Sequence, residues 1–252
     1  MHELPYSGRL LAPEWTSCSG TLITENVVLT AGHCTDYWTY LELDEVWVTF
    51  DSEAAVDDET WEPIPGEGTW YRAHSWLSHP GYVDADWPFT LDYGLVFLDE
   101  EVEGITPAAL PEPGILPEVI GTTGQIDWRF LDVGYGQNGV DVGGGLPLRN
   151  FDFFRKFSVQ RYHPGQGAVG TQDPTWFMLG NVPSQKHGAG CGGDSGSGIF
   201  PDTEEEFGDT VLAVHTGGYR LGNAGQICGR ITLLNHRVDI DVVLDWIANY
   251  LN

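Results

Sequence analysis

Ser195 lies in the run Gly193-Asp194-Ser195-Gly196, with glycine on both sides. Such glycines let the backbone turn sharply and bring amide N–H groups close to a reacting carbonyl. A serine hydroxyl is a poor nucleophile at neutral pH, so it needs a neighbouring base and an orienter for that base. The chain offers a base in Ala31-Gly32-His33-Cys34. It offers an orienter in Asp92, an acid opening the apolar run Tyr93-Gly94-Leu95-Val96-Phe97-Leu98. Asp84 and Asp86 lie nearby but no such run follows them. By type and order alone, His33, Asp92 and Ser195 form a hypothesis of acyl transfer, since glycine-flanked serines are common. His2, His74, His163, His187 and His236 stand in no motif and are expected at the surface or in packing.

The elements that must position these residues read as strands. Thr21-Leu22-Ile23-Thr24 and Val27-Val28-Leu29-Thr30 flank the polar pair Glu25-Asn26, a hairpin pattern just before His33. Further strands are expected over 92–98 and 210–214. A stretch rich in proline and glutamate, 99–121, separates two halves. The acidic segment 51–62 reads as a surface loop, and its spacing matches no EF-hand. From Asp241, the residues Val242, Val243, Trp246, Ile247, Tyr250 and Leu251 recur at helical spacing, with Asp239 or Asp241 expected as the cap. The 33 glycines and 15 prolines are spread between short apolar runs, which points to an all-β protein. The 252 residues, 41% hydrophobic, suffice for one large unit or two lobes sharing a cleft. Nothing approaches the ~20 consecutive apolar residues of a membrane span. With 37 acidic against 11 basic side chains, a net charge of −26 argues against nucleic-acid or anionic-membrane partners. The cysteines Cys18, Cys34, Cys191 and Cys228 show no CxxC spacing, so zinc chemistry is not expected and three pairings stay open.

In their order and local context these motifs resemble the chymotrypsin-like serine protease family. The resemblance is carried by Cys18-Ser19-Gly20-Thr21-Leu22-Ile23, Leu29-Thr30-Ala31-Gly32-His33-Cys34, His79-Pro80-Gly81-Tyr82, Asp92-Tyr93-Gly94-Leu95-Val96-Phe97-Leu98 and Cys191-Gly192-Gly193-Asp194-Ser195-Gly196-Ser197-Gly198. His215-Thr216-Gly217-Gly218, Cys228-Gly229-Arg230-Ile231-Thr232 and the Trp246-Ile247 helix extend it to nearly the whole chain. It implies two packed six-stranded antiparallel barrels with a C-terminal helix. Residues 1–118 would carry His33 and Asp92; residues 119–252 would carry Ser195 and the specificity pocket. Ser195 would be nucleophile, His33 general base and acid, and Asp92 the group that holds the imidazole, with the Gly193 and Ser195 amides as oxyanion hole. Disulfides Cys18–Cys34 and Cys191–Cys228 are implied, and His79 would be structural. So are a secreted, monomeric endopeptidase acting on peptides or proteins, and no cofactor or metal. The two-disulfide layout resembles bacterial members.

Two departures bear on activity. Relatives activated like trypsin place a new N-terminus beginning Ile-Val-Gly-Gly beside the acid before the nucleophile. Here the chain starts Met-His-Glu-Leu-Pro, so Asp194 must find another partner, or the mature terminus has been trimmed away. At the pocket floor stands Ala189, with Gly218 and Gly229 at the walls, which implies an apolar or aromatic residue before the scissile bond. Alternatively, His215-Thr216-Gly217-Gly218 is similar to glutamyl endopeptidases, where a histidine binds the substrate carboxylate, and Arg220 lies close. Against that stands Gly190, where such enzymes present a hydroxyl. The rival classes are a catalytically inactive protease-like binding module and an enzyme confined to esters.

Overall fold

Short runs of β-branched and apolar residues in the first half pair into one antiparallel sheet. The computed structural model describes residues 4–12, 16–57, 59–87, 90–120, 129–139, 149–150, 152–162, 175–180, 190–203, 207–220 and 231–251. The first-half elements are β1 (Ser7–Ala12), β2 (Thr16–Leu22), β3 (Val27–Thr30), α1 (Gly32–Tyr40), β4 (Val46–Thr49), β5 (Tyr71–Ala73), β6 (Ser75–Ser78) and β7 (Gly94–Phe97). They are ordered β5-β4-β1-β2-β3-β7-β6. The two edges, β5 and β6, are halves of one run broken at His74, so the sheet closes on itself. The seven segments therefore make a six-stranded barrel with one interrupted strand. At the break, His74 Nδ1 pairs with Asp99 Oδ2 at 2.7 Å. The expected hairpin is present, with Thr21 opposite Leu29 and Leu22 opposite Val28. Thr24 Oγ1 closes its turn by accepting the Val27 N–H at 3.1 Å.

The second half supplies α2 (Leu116–Ile120), β8 (Arg129–Gly134), β9 (Asn138–Gly139), β10 (Arg149–Asn150), β11 (Lys156–Tyr162), β12 (Trp176–Gly180), β13 (Gly198–Pro201), β14 (Ala213–Arg220), β15 (Ile231–Arg237) and α3 (Asp241–Ala248). Strands β9 and β10 pair with each other, and the other six close a barrel in the order β11-β12-β15-β14-β13-β8. The all-β reading with a terminal helix holds. The strand expected over 210–214 begins later, at Ala213. The expected acidic cap of α3 is corrected: its N-cap is Ile240, with no side-chain cap. Asp239 is held elsewhere, by Arg237 Nε at 2.8 Å and by the Leu116 N–H of α2 at 2.8 Å.

One apolar core runs through both barrels, joining Leu22, Leu29 and Val96 of the first to Val133, Phe200 and Val214 of the second. Tyr93, fully buried at the head of β7, donates its hydroxyl to the Arg237 carbonyl of β15 at 2.5 Å. The barrels are thus fixed against each other where their strand ends meet.

Candidate active site

His33 opens α1 directly after β3, and Gly32 makes that junction possible. A Cβ on Gly32 would lie 2.9 Å from the Tyr93 carbonyl oxygen and 3.0 Å from its nitrogen. Without one, the start of the helix closes on the start of β7. There the His33 N–H donates to Asp92 Oδ1 at 2.7 Å, and His33 Nδ1 meets Asp92 Oδ2 at 2.8 Å. Asp92 is fully buried, while His33 keeps 29% of its side chain exposed. Burial opposes the charge on Asp92, but the His33 ring, then His236 and the His33 backbone N–H, outweigh it and hold the acid below the usual carboxylate range. An ionised carboxylate only accepts, so Nδ1 carries the proton and Nε2 is left as the basic nitrogen. Asp84 and Asp86 form an exposed 3-10 turn and take no part in this pair.

Ser195 stands across a cleft of about 630 Å³ that it lines together with His33 and the Cys18–Cys34 disulfide. No hydrogen bond joins the His33 ring to the Ser195 hydroxyl; such contacts are often loose without substrate. The turn that presents the serine needs its glycines. Gly193 has φ +96° and Gly196 φ +86°, a region side chains avoid. The Asp194, Gly196 and Ser197 N–H groups are all bonded, to Cys191, His215 and Asp194 carbonyls. Those of Gly193 and Ser195 donate to no group among the described residues. The first barrel also grips this turn: the Ser19 N–H donates to the Ser195 carbonyl at 2.8 Å, and Ser19 Oγ to the Gly193 carbonyl at 2.9 Å.

A trypsin family model matches residues 1–126, half of the chain and all of the first barrel. The chain belongs to the trypsin family. It is a serine endopeptidase by that membership. Neuropsin, a serine protease expressed in the limbic system of mouse brain, superposes with TM-score 0.67 over 100% of this chain and 96% of its own, at 16% identity. HL collagenase superposes with TM-score 0.64 over 98% and 93%, at 18% identity. At such identities the likeness speaks for the shared fold. No curated protein matches the chain.

The trypsin-family pocket residues fare unequally. Ala189, Cys228 and Gly229 lie outside the described residues, as does the Arg220 side chain. Cys191 is disulfide-bonded. Gly218 is exposed on β14, and Thr216 is buried with its hydroxyl unpaired among the described residues. His215 is buried at 3% exposure, with Nδ1 on Asp132 Oδ2 at 2.9 Å. Its ring packs so closely under Gly190 that any Cβ there would overlap Cε1. The Asp194 carboxylate has found its partners in the Gly136 N–H at 2.7 Å and the Cys191 N–H at 2.8 Å. It is enclosed between Gly134 and Gly136, where a Cβ would overlap it. Burial, then repulsion by Asp132, pushes its pKa up to about 6, with His215 pulling it back. Asp132 was missed in the sequence; its one signal is an acid set inside Phe130-Leu131-Asp132-Val133.

Proposed function

We propose that the chain is a secreted, monomeric serine endopeptidase that cleaves peptide bonds through an acyl-enzyme, with an apolar or aromatic residue before the scissile bond. The observation that carries the chemistry is His33, held from behind by the buried Asp92 and lining the same cleft as Ser195. Ser195 Oγ attacks the carbonyl while His33 Nε2 takes its proton. The free Gly193 and Ser195 amides receive the developing oxyanion, each such donor contributing about 2.7–4 kcal/mol. His33 then returns the proton to the leaving amine, and water repeats the sequence on the ester. The cleft residues Asp36, Tyr37 and Tyr82 belong to this substrate path. Secretion is supported by the Cys18–Cys34 disulfide, a bond favoured in oxidising compartments.

Apolar specificity is supported by the charge balance beneath Gly190. The imidazole there faces two carboxylates, Asp132 and Asp194, so it offers no net positive charge to an acidic substrate. The glutamyl reading draws on the place of the same ring directly under Gly190. A fluorophosphonate probe tests the enzyme: it should label the native chain and not Ser195→Ala, and an unlabelled native chain would leave the binding-module reading. Peptide-library profiling tests the pocket, with Phe, Tyr, Leu or Met expected before the cut. Dominant Glu, abolished by His215→Ala, would replace the apolar reading by the glutamyl one.

A further inference from the structure

Behind the nucleophile turn lies a buried polar group that the acyl-transfer steps do not use. It draws on three separate segments: Asp132 on β8, His215 on β14, and Asp194 with Ser197 on the loop leading into β13. Asp132 is its hub, taking the Ser197 hydroxyl on Oδ1 and His215 Nδ1 on Oδ2. The backbone ties the same parts again. Gly196 N–H donates to the His215 carbonyl at 2.8 Å, His215 N–H to the Ser197 carbonyl at 2.8 Å, and Ser197 N–H to the Asp194 carbonyl at 2.9 Å. Asp132 and His215 are buried and Asp194 is half-buried, so the two carboxylates need a cation near them to offset part of their charge.

We propose that His215, held by Asp132, is a positioning residue that supplies the countercharge to Asp194 and so holds the 191–196 turn in the form that leaves the Gly193 and Ser195 amides free for an oxyanion. The inference rests on the serine-protease reading of that turn. It assigns to the interior of the second barrel the stabilising charge that Asp194 requires. The charged groups facing His215 are Asp132, Asp194 and, from the first barrel, Asp92. Burial works against the imidazolium, yet the three acids together raise its pKa above the ordinary histidine value. A raised value fixes the sign. The contribution is present while His215 is protonated and Asp194, raised to about 6, is ionised, and it is lost as pH rises through the folded value of His215. Alkaline pH then leaves Asp132 and Asp194 without the imidazolium held by Asp132 to offset them, and the turn loses its hold.

The test uses the full chain and a neutral peptide anilide with an apolar residue before the cut, measuring kcat and KM across pH. Native kcat should fall on the alkaline side while KM stays nearly constant. Asp132→Asn should move that fall down by about 1–3 pH units, the usual effect of an opposite charge at this range. His215→Gln should lose at least tenfold in kcat and show no such fall. An alkaline limb unchanged in both folded variants, or an effect confined to KM, overturns the proposal. Where thermal melts show that neither variant folds, the His215 Cε1 proton signal of Ser195→Ala decides. A titration midpoint above 6.5 supports the countercharge, and one at or below 6.5 refutes it. A native chain that fails to take a fluorophosphonate sinks the protease reading instead, and the proton titration still reports on the charge cluster.

Discussion

Replacing Asp92 by asparagine keeps the shape of the buried side chain and removes its charge and one acceptor. In the native site both oxygens accept from His33, Oδ1 from the backbone N–H at 2.7 Å and Oδ2 from Nδ1 at 2.8 Å. Asparagine has one acceptor oxygen and one NH₂. Turning the NH₂ toward the backbone N–H would set two donors face to face in a dry site, a cost of about 1–3 kcal/mol. The oxygen therefore stays on the backbone and the NH₂ faces Nδ1, which must now accept. The ring proton moves to Nε2, the nitrogen that receives the serine proton in the proposed mechanism. In the serine-protease template this tautomer costs ~10⁴ in kcat, about 5.4 kcal/mol at 1.36 kcal/mol per decade. The assay is kcat and KM on a neutral peptide anilide near neutral pH, with a thermal melt to confirm folding. KM should change little, because Asp92 is fully buried and reaches no substrate. A folded Asp92→Asn protein within tenfold of native kcat would refute the assignment of His33 as base.

Gly196→Ala forces a side chain into a φ of +86° and against Thr30 Oγ1, Ser19 O and the Ala31 nitrogen. It should cost at least 1–3 kcal/mol by the usual scale of backbone strain and abolish labelling by a fluorophosphonate; unchanged melting and labelling would contradict that. Tyr93→Phe removes the hydroxyl that reaches the Arg237 carbonyl and should lower stability in urea by about 0.5–1.5 kcal/mol. No change there would mean that the bond does not help to join the barrels. Replacing Cys18 and Cys34 together by serine opens a loop of sequence separation 16 and should cost about 3 kcal/mol in urea unfolding; a loss under 1 kcal/mol would contradict the chain-entropy estimate.

The grouping of His33, Asp92 and Ser195 about one cleft was legible because each sits in a short motif whose meaning is local. His33 follows a glycine that permits a close junction, Asp92 opens a buried strand, and Ser195 is flanked by glycines at positive φ. The broken strand at His74 was not legible, since an apolar pattern does not reveal where a barrel turns its corner. The cap of α3 was misread because Asp239 satisfies a helix more than a hundred residues away, an association without a signal in local spacing. His215 was noticed as a candidate substrate contact, but its tie to Asp132 was not. Its partner Asp132 lies on another strand 83 residues earlier, and only the closure of the second barrel brings the two together. Long-range polar pairs of this kind leave one trace in a sequence, a charged residue where the pattern calls for an apolar one.

The grip of Ser19 on the nucleophile turn has a kinetic meaning. Ser19 belongs to β2 of the first barrel, yet its N–H holds the Ser195 carbonyl and its hydroxyl holds that of Gly193 while accepting the Tyr135 N–H. Neither barrel can therefore shape the turn alone. During refolding, each half can pair its own strands before any activity exists, and turnover should begin only when the halves dock and Trp246 closes on His79. A nicked chain whose halves remain associated should still hydrolyse substrate, whereas the same halves kept dilute and apart should be silent however well each is folded.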